Sequence, residues 1–218
     1  MRRINKNMMV IMHIPLNWNM ISIMPNAPAK KELSHSRIVG VASRAIRRAG
    51  YRGVGVAGIM KEAGLTHGGF YAHFESRDRL LVEAMEQAGL DNLGSLTDGI
   101  ERRVSKGVSR FRALVETYLN DSHMERSERG CVVASLVSEM PRQSDAVRKE
   151  ACRQVDAMLA LVQSVLPNET NKSAAPMVTA TMIGALQLAR TLGGKAGRKI
   201  LAQARRSLID IYDRPSHH

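Results

Sequence analysis

The stretch that decides the fold is Val54-Gly55-Val56-Ala57-Gly58-Ile59-Met60-Lys61-Glu62-Ala63-Gly64-Leu65-Thr66-His67-Gly68-Gly69-Phe70-Tyr71-Ala72-His73-Phe74-Glu75-Ser76-Arg77-Asp78-Arg79-Leu80-Leu81. Val56, Ile59, Met60 and Ala63 recur at helical spacing and give one face that can meet a core. Gly64 follows at once and suits the left-handed conformation that ends a helix. Thr66 is a good N-cap for a second short helix. That helix carries His67, Gly68, Gly69 and Tyr71 outward and Phe70 and Phe74 inward, and Ser76 opens a third. The pattern is a helix-turn-helix whose second helix is the right size for a DNA major groove.

The residues Ala63-Gly64-Leu65-Thr66, Gly68-Gly69-Phe70-Tyr71, His73-Phe74, Ser76-Arg77 and Leu80 resemble the DNA-binding domain of the TetR family of bacterial transcriptional repressors. The resemblance runs from about Arg37 to Leu81. It implies an all-α protein: an N-terminal three-helix helix-turn-helix domain at 30–80, then a helical ligand-binding and dimerisation domain at 81–213. It also implies that the last two long helices pair with those of a second copy, and that a small molecule in the second domain respaces the two reading heads.

A helix N-terminus suits a phosphate, because its free N–H groups and its dipole both favour an anion. Three such starts are expected here, near Gly55, Thr66 and Ser76. By resemblance, the Thr66 and Tyr71 hydroxyls and His73 touch phosphates, and Arg77 stands where the family usually has Lys. His67 and Gly68 are the candidates for base edges, and Arg37 is a further phosphate candidate. Gly68 and Gly69 each cost about 1 kcal/mol of helix propensity; they let the backbone approach the groove, unless Gly69 serves only to pack against the preceding helix. His73 has a second reading as a hydrogen-bonder at a helix C-terminus. A two-fold dimer would set its reading helices roughly 34–36 Å apart on a palindromic operator, with binding that weakens steeply as salt rises.

Composition agrees. The chain has 218 residues, 44% of them hydrophobic, which is ample for a core. Aromatics are 4%, so the core is built mainly from aliphatic side chains on helices. Net charge is +12, which points to a polyanion, and the helix-turn-helix selects DNA over an anionic membrane. Cys131 and Cys152 form no disulfide framework and fit a reducing cytoplasm. No run of about 18 apolar residues suggests a membrane span.

Met1–Ala29 reads as a disordered or mis-annotated extension, with translation beginning at Met24; Arg2, Arg3, Lys6 and the following Met-rich run resemble a signal peptide only faintly, and a basic DNA-binding arm is the alternative. Ser34 or Ser36 would cap a first helix ending at Gly50, with Ile38, Ala42, Ala45, Ile46 and Ala49 on its apolar stripe. After Ser76 a helix is expected to about Leu93, broken into short pieces by Gly94, Gly99 and Gly107. An amphipathic helix over 108–122, a polar loop over 124–129 and a buried helix from Gly130 to Met140 stopped by Pro141 should follow. Helices from Ser144 to Leu166, from Pro176 to Leu192 and from Lys195 to Ile211 complete the chain, with a loop over 168–175 and a hinge at Gly193-Gly194.

Candidate effector-lining residues are Met85, Phe111, Leu114, Tyr118, Cys131, Met158, Met182 and Leu186, each of which could equally be core. Gly130-Cys131, Leu136 and Glu139 resemble a segment of the electrophile-sensing branch of the family, in which the matching cysteine is the sensor. A helix N-terminus, with Arg126 and Arg129 nearby, would favour the Cys131 thiolate; the alternative is a buried, inert thiol. No Gly-rich phosphate loop, nucleophile elbow or paired metal motif is present, so no enzyme, metal or cofactor is expected. The reading is a cytoplasmic, homodimeric repressor of double-stranded DNA, released by a small molecule or by modification of Cys131. The alternatives are an activator of the same fold, or a helical small-molecule-binding protein that does not read DNA.

Overall fold

The computed structural model describes residues 30–53, 55–167 and 172–213; the readings made for Met1–Ala29 and for 168–171 lie outside them. Helix α1, Lys30–Ala49, starts ahead of both serines expected to cap it. It buries Ile38, Ala42, Ala45 and Ile46 as the stripe predicts, with Val39 and Val41 beside them, while Ala49 is exposed. Gly50 ends it at φ +73°. A side chain there would be strained, and its Cβ would fall 2.3 Å from a Glu139 carboxylate oxygen.

Helix α2, Val56–Glu62, turns at Gly64 (φ +70°), where the Leu65 N–H reaches the Met60 carbonyl at 2.9 Å. The expected second helix is a 3-10 turn, His67–Ala72. Helix α3, Arg77–Val104, is capped by Ser76, whose hydroxyl accepts from the Arg79 N–H at 3.1 Å. Phe70, Phe74, Tyr51, Met60 and Leu80, all at most 2% exposed, fill the small core where α1, α2 and α3 meet.

α3 does not stop at Leu93. Gly94 and Gly99 lie inside it, and only Gly107 (φ +83°) breaks the chain. Gly99 is there for packing, since a Cβ would stand 2.3 Å from Thr117 Cγ2 on the next helix, α4, Arg110–Tyr118. α4 ends before Ser122 because Asn120 caps a new helix, α5, Asp121–Glu125, through the His123 N–H at 2.8 Å. The expected polar loop is therefore the end of α5 and a 3-10 turn, Ser127–Arg129, with Met124 buried. The expected helix from Gly130 to Met140 is only α6, Val132–Leu136. Val137 and Ser138 are exposed, and Glu139 swings to the α1 terminus, where its carboxylate accepts from the Tyr51 N–H at 3.2 Å.

Helices α7 (Asp145–Val165), α8 (Ala175–Leu192, with Pro176 in its first turn) and α9 (Gly194–Tyr212) follow the predicted pattern closely. α8 packs on α7 and α9, and α4 packs on α3, α7 and α9. No helix among the described residues is long and apolar enough to cross a membrane.

Candidate nucleic-acid interface

The turn His67–Ala72 is anchored from inside and bare outside. Phe70 and Phe74 are 2% and 1% exposed and stack with centroids 5.5 Å apart. Tyr71, next along the chain, is 75% exposed, and Thr66, His67 and Gly68 are exposed with it. Alternation of anchor and free side chain is what a reading element needs: a fixed backbone presenting mobile donors. The Thr66 hydroxyl does not cap the turn, so it stays available. Gly55 begins α2 with no side-chain cap, while the third start, at Ser76, is satisfied by its own serine.

The two glycines are not required by packing. A Cβ at Gly68 would meet nothing within 4 Å, and one at Gly69 would make ordinary contact with Thr66 Oγ1 at 3.7 Å and Met60 Cε at 3.8 Å. The packing account of Gly69 is thereby weakened.

The two arginines of the set are tied inward. Arg37 donates to the Ala63 carbonyl at 3.4 Å, and Arg77 donates to the Tyr51 carbonyl. They brace the ends of α2 and the α1–α2 link. His73 occupies the C-terminal cap of the turn, with a buried Nδ1 that has no partner among the described residues. Burial first, then His35 and Lys31, hold its pKa below the ordinary value. A neutral ring at pH 7 can donate a hydrogen bond to phosphate but brings no charge.

In the second domain, of the eight residues named as candidate effector lining, Cys131 and Met158 line a groove of about 400 Å³ between α3, α6 and α7. Met85, Phe111, Leu114, Tyr118, Met182 and Leu186 are core residues, at most 1% exposed; helix packing, invisible in a list of apolar residues, separates the two groups. Cys131 is 2% exposed and N-caps the five-residue α6, accepting from the Ala134 N–H at 3.5 Å. Arg126 and Arg129 line a neighbouring groove instead. Cys152 is exposed.

Comparison with known families agrees with this geometry. Residues 38–84 match the family model of bacterial regulatory proteins of the tetR family, and residues 107–206 match that of the tetracyclin repressor-like C-terminal domain. The chain belongs to the TetR family of transcriptional regulators. No curated protein matches it significantly by sequence. Solved TetR-type folds match over most of their length. A TetR-family regulator from Agrobacterium tumefaciens is 19% identical with a TM-score of 0.68, covering 84% of this chain and 98% of its own. Reduced E. coli NemR is 19% identical at 0.70, covering 84% and 98%. A regulator from Chloroflexus aurantiacus J-10-FL is 23% identical at 0.70, covering 83% and 94%. At these identities the likeness is one of fold. The chain is thus a DNA-binding regulator of a non-enzymatic family.

This TetR-family chain also contains ties between its two domains that the sequence did not reveal. Arg47 of α1 is 4% exposed. It donates to the Ser43 carbonyl and hydroxyl, each at 3.0 Å, to the Gly130 carbonyl at 3.1 Å and to Asp91 at 3.3 Å. Burial lowers its pKa, and Asp91 partly offsets that. With Glu139 on Tyr51, it joins the Gly130–Glu139 segment to the DNA-binding head at two points. The only sequence signal was helical spacing: Arg47 stands four residues after Ser43, beside the apolar stripe.

Proposed function

We propose that this regulator is a homodimeric repressor that holds a palindromic operator through Thr66, His67, Gly68, Tyr71 and His73, and releases it when a small molecule occupies the second domain. The observation that carries the DNA-reading part is Tyr71, 75% exposed between two buried phenylalanines. Dimerisation through α8 and α9 is supported by Met177, Leu188, Leu192 and Ile211, all more than half exposed, and by open space at Gly184. An apolar stripe of that kind on paired helices marks a face that another molecule covers.

The test is binding to DNA flanking the gene, with wild type and Tyr71→Ala compared at several salt concentrations. Loss of one positioning contact should weaken operator binding by roughly tenfold while the melting temperature holds. Unchanged affinity in Tyr71→Ala would remove Tyr71 from the interface.

A second reading makes Cys131 the sensor of an electrophile. It is supported by the place of the thiol in the groove wall. N-ethylmaleimide should then release wild type from DNA and leave Cys131→Ser bound. Release of both, or of neither, would leave noncovalent binding as the switch.

A further inference from the structure

A second groove, of about 500 Å³, adjoins the first. Its wall includes Arg102, Arg103, Arg126 and Arg129 and no carboxylate. Arg103 is paired with Glu116 at 3.4 Å. The side chains of Arg102, Arg126 and Arg129 have no ion pair among the described residues. Neighbouring acids are engaged elsewhere: Glu125 with Arg198, Glu128 with Arg48, and Asp91 with Arg47. Behind the groove, at Gly130, Arg190 contributes a further, half-buried cation; a Cβ on that glycine would lie 2.7 Å from Arg190 Nη2. Among the described residues Arg190 bonds neutral groups alone, the Ser135 hydroxyl at 3.2 Å and the His123 carbonyl at 3.0 Å, and its Nε has no partner there. Like charges gathered without counter-charges repel one another, so such a cluster favours an anion arriving from solution.

The first groove has the opposite character. Leu90, Leu93, Leu96, Val133, Met158 and Leu161 dominate it, and its charged residues, Glu86 and Arg153, pair with each other at 3.5 Å. The two grooves share Asn92 and Leu96 and meet at the Gly130-Cys131 link. An apolar trough that opens onto unpaired arginines fits one molecule with two ends.

We propose that the joined grooves bind an amphipathic anion, an apolar body along α3 and α7 with a carboxylate or phosphate head among Arg102, Arg126 and Arg129. This deepens the reading of the second domain as the effector-binding part and rests on it. The head would sit beside Gly130, whose carbonyl Arg47 holds, so occupancy acts next to a tie to the DNA-binding head.

The experiment is calorimetric titration of the full chain, without DNA, with decanoate, decyl phosphate, decanol, decyltrimethylammonium and acetate. Decanoate or decyl phosphate should bind at least about tenfold more tightly than decanol, and the cation and acetate should bind least. The relative strength of the two anions identifies the head. In the Arg126→Ala/Arg129→Ala variant, which alters only exposed side chains, the preference over decanol should fall to within about threefold. Leu93→Asp, at a partly exposed position, should weaken both anions. Equal binding of decanoate and decanol, stronger binding of the cation, binding of none, or an undiminished anion preference in the double arginine variant would each overturn the proposal. Operator release is measured separately: an anion that binds as described yet leaves the operator complex intact would sustain the site and defeat the effector reading.

Discussion

The head and the second domain solve the same problem, packing short helices, in different ways. In the head, the reading turn follows from local pattern: Phe70 in, Tyr71 out, Phe74 in, with Gly64 turning the chain. In the second domain, contacts depend on partners far away in sequence: Gly99 yields to Thr117, Glu139 leaves its helix for Tyr51, and Arg190 reaches Ser135 and His123. A locally specified head keeps its surface free for reading. A domain held by long-range polar contacts offers many points at which a ligand can loosen it.

The strongest way to break the comparison is within the head. Phe70→Ala empties a fully packed site and should cost about 3–5 kcal/mol, lost as melting temperature and operator binding together. Tyr71→Ala should change stability by no more than about 0.5 kcal/mol and reduce binding alone. Thermal melts run beside binding isotherms check the pair. If the two variants melt alike, anchor and reader are not separate.

The same contrast explains what the sequence could show. The helix-turn-helix and the last three long helices were legible because apolar spacing, a cap or a positive-φ glycine marks each locally. The region from Gly94 to Met140 was misjudged wherever a glycine or a run of apolar residues had a distant cause. Gly99 in isolation reads as a breaker, and only the neighbouring Thr117 shows it to be a contact. The outward residues of the reading turn could be found from alternation, but the inward commitment of Arg37 and Arg77 to backbone carbonyls could not, because an arginine's partner is not encoded by its own spacing.

The polar network of the second domain gives a pH prediction that the head should share only weakly. The His123 Nδ1–H donates to the Tyr118 carbonyl at 2.7 Å, and Nε2 accepts from the Cys131 N–H at 2.9 Å. That tautomer satisfies both nitrogens and leaves no place for a second proton. Burial is the main cause that lowers the pKa from 6.5 to about 4; the Tyr118 carbonyl opposes it and Arg190 reinforces it. The unfolded chain therefore binds more protons between those values, so this contribution is complete above pH 6.5 and lost as pH falls towards 4, by up to about 3 kcal/mol. Denaturant titrations from pH 8 to pH 4 should show that slope in wild type. His123→Phe, less stable at pH 8, should lose that part of the slope and keep the part due to His73. An equal slope in both proteins would place the titration elsewhere.

The finest test uses two glycines of one helix. Gly94 and Gly99 both lie within α3, and sequence alone treats them as equivalent interruptions. A Cβ at Gly94 would meet nothing within 4 Å, so Gly94→Ala should stabilise the chain by up to about 1 kcal/mol through helix propensity and the unfolded state. The same change at Gly99 drives a methyl to 2.3 Å from Thr117 Cγ2, and α3 and α4 must move apart. Overpacking of that kind costs about 1–3 kcal/mol, more than the propensity returns. The two alanine variants should thus shift the denaturation midpoint in opposite directions. If Gly99→Ala is as stable as Gly94→Ala, the α3–α4 contact is loose, and the continuity of α3 owes more to intrinsic helicity than to the packing of the second domain.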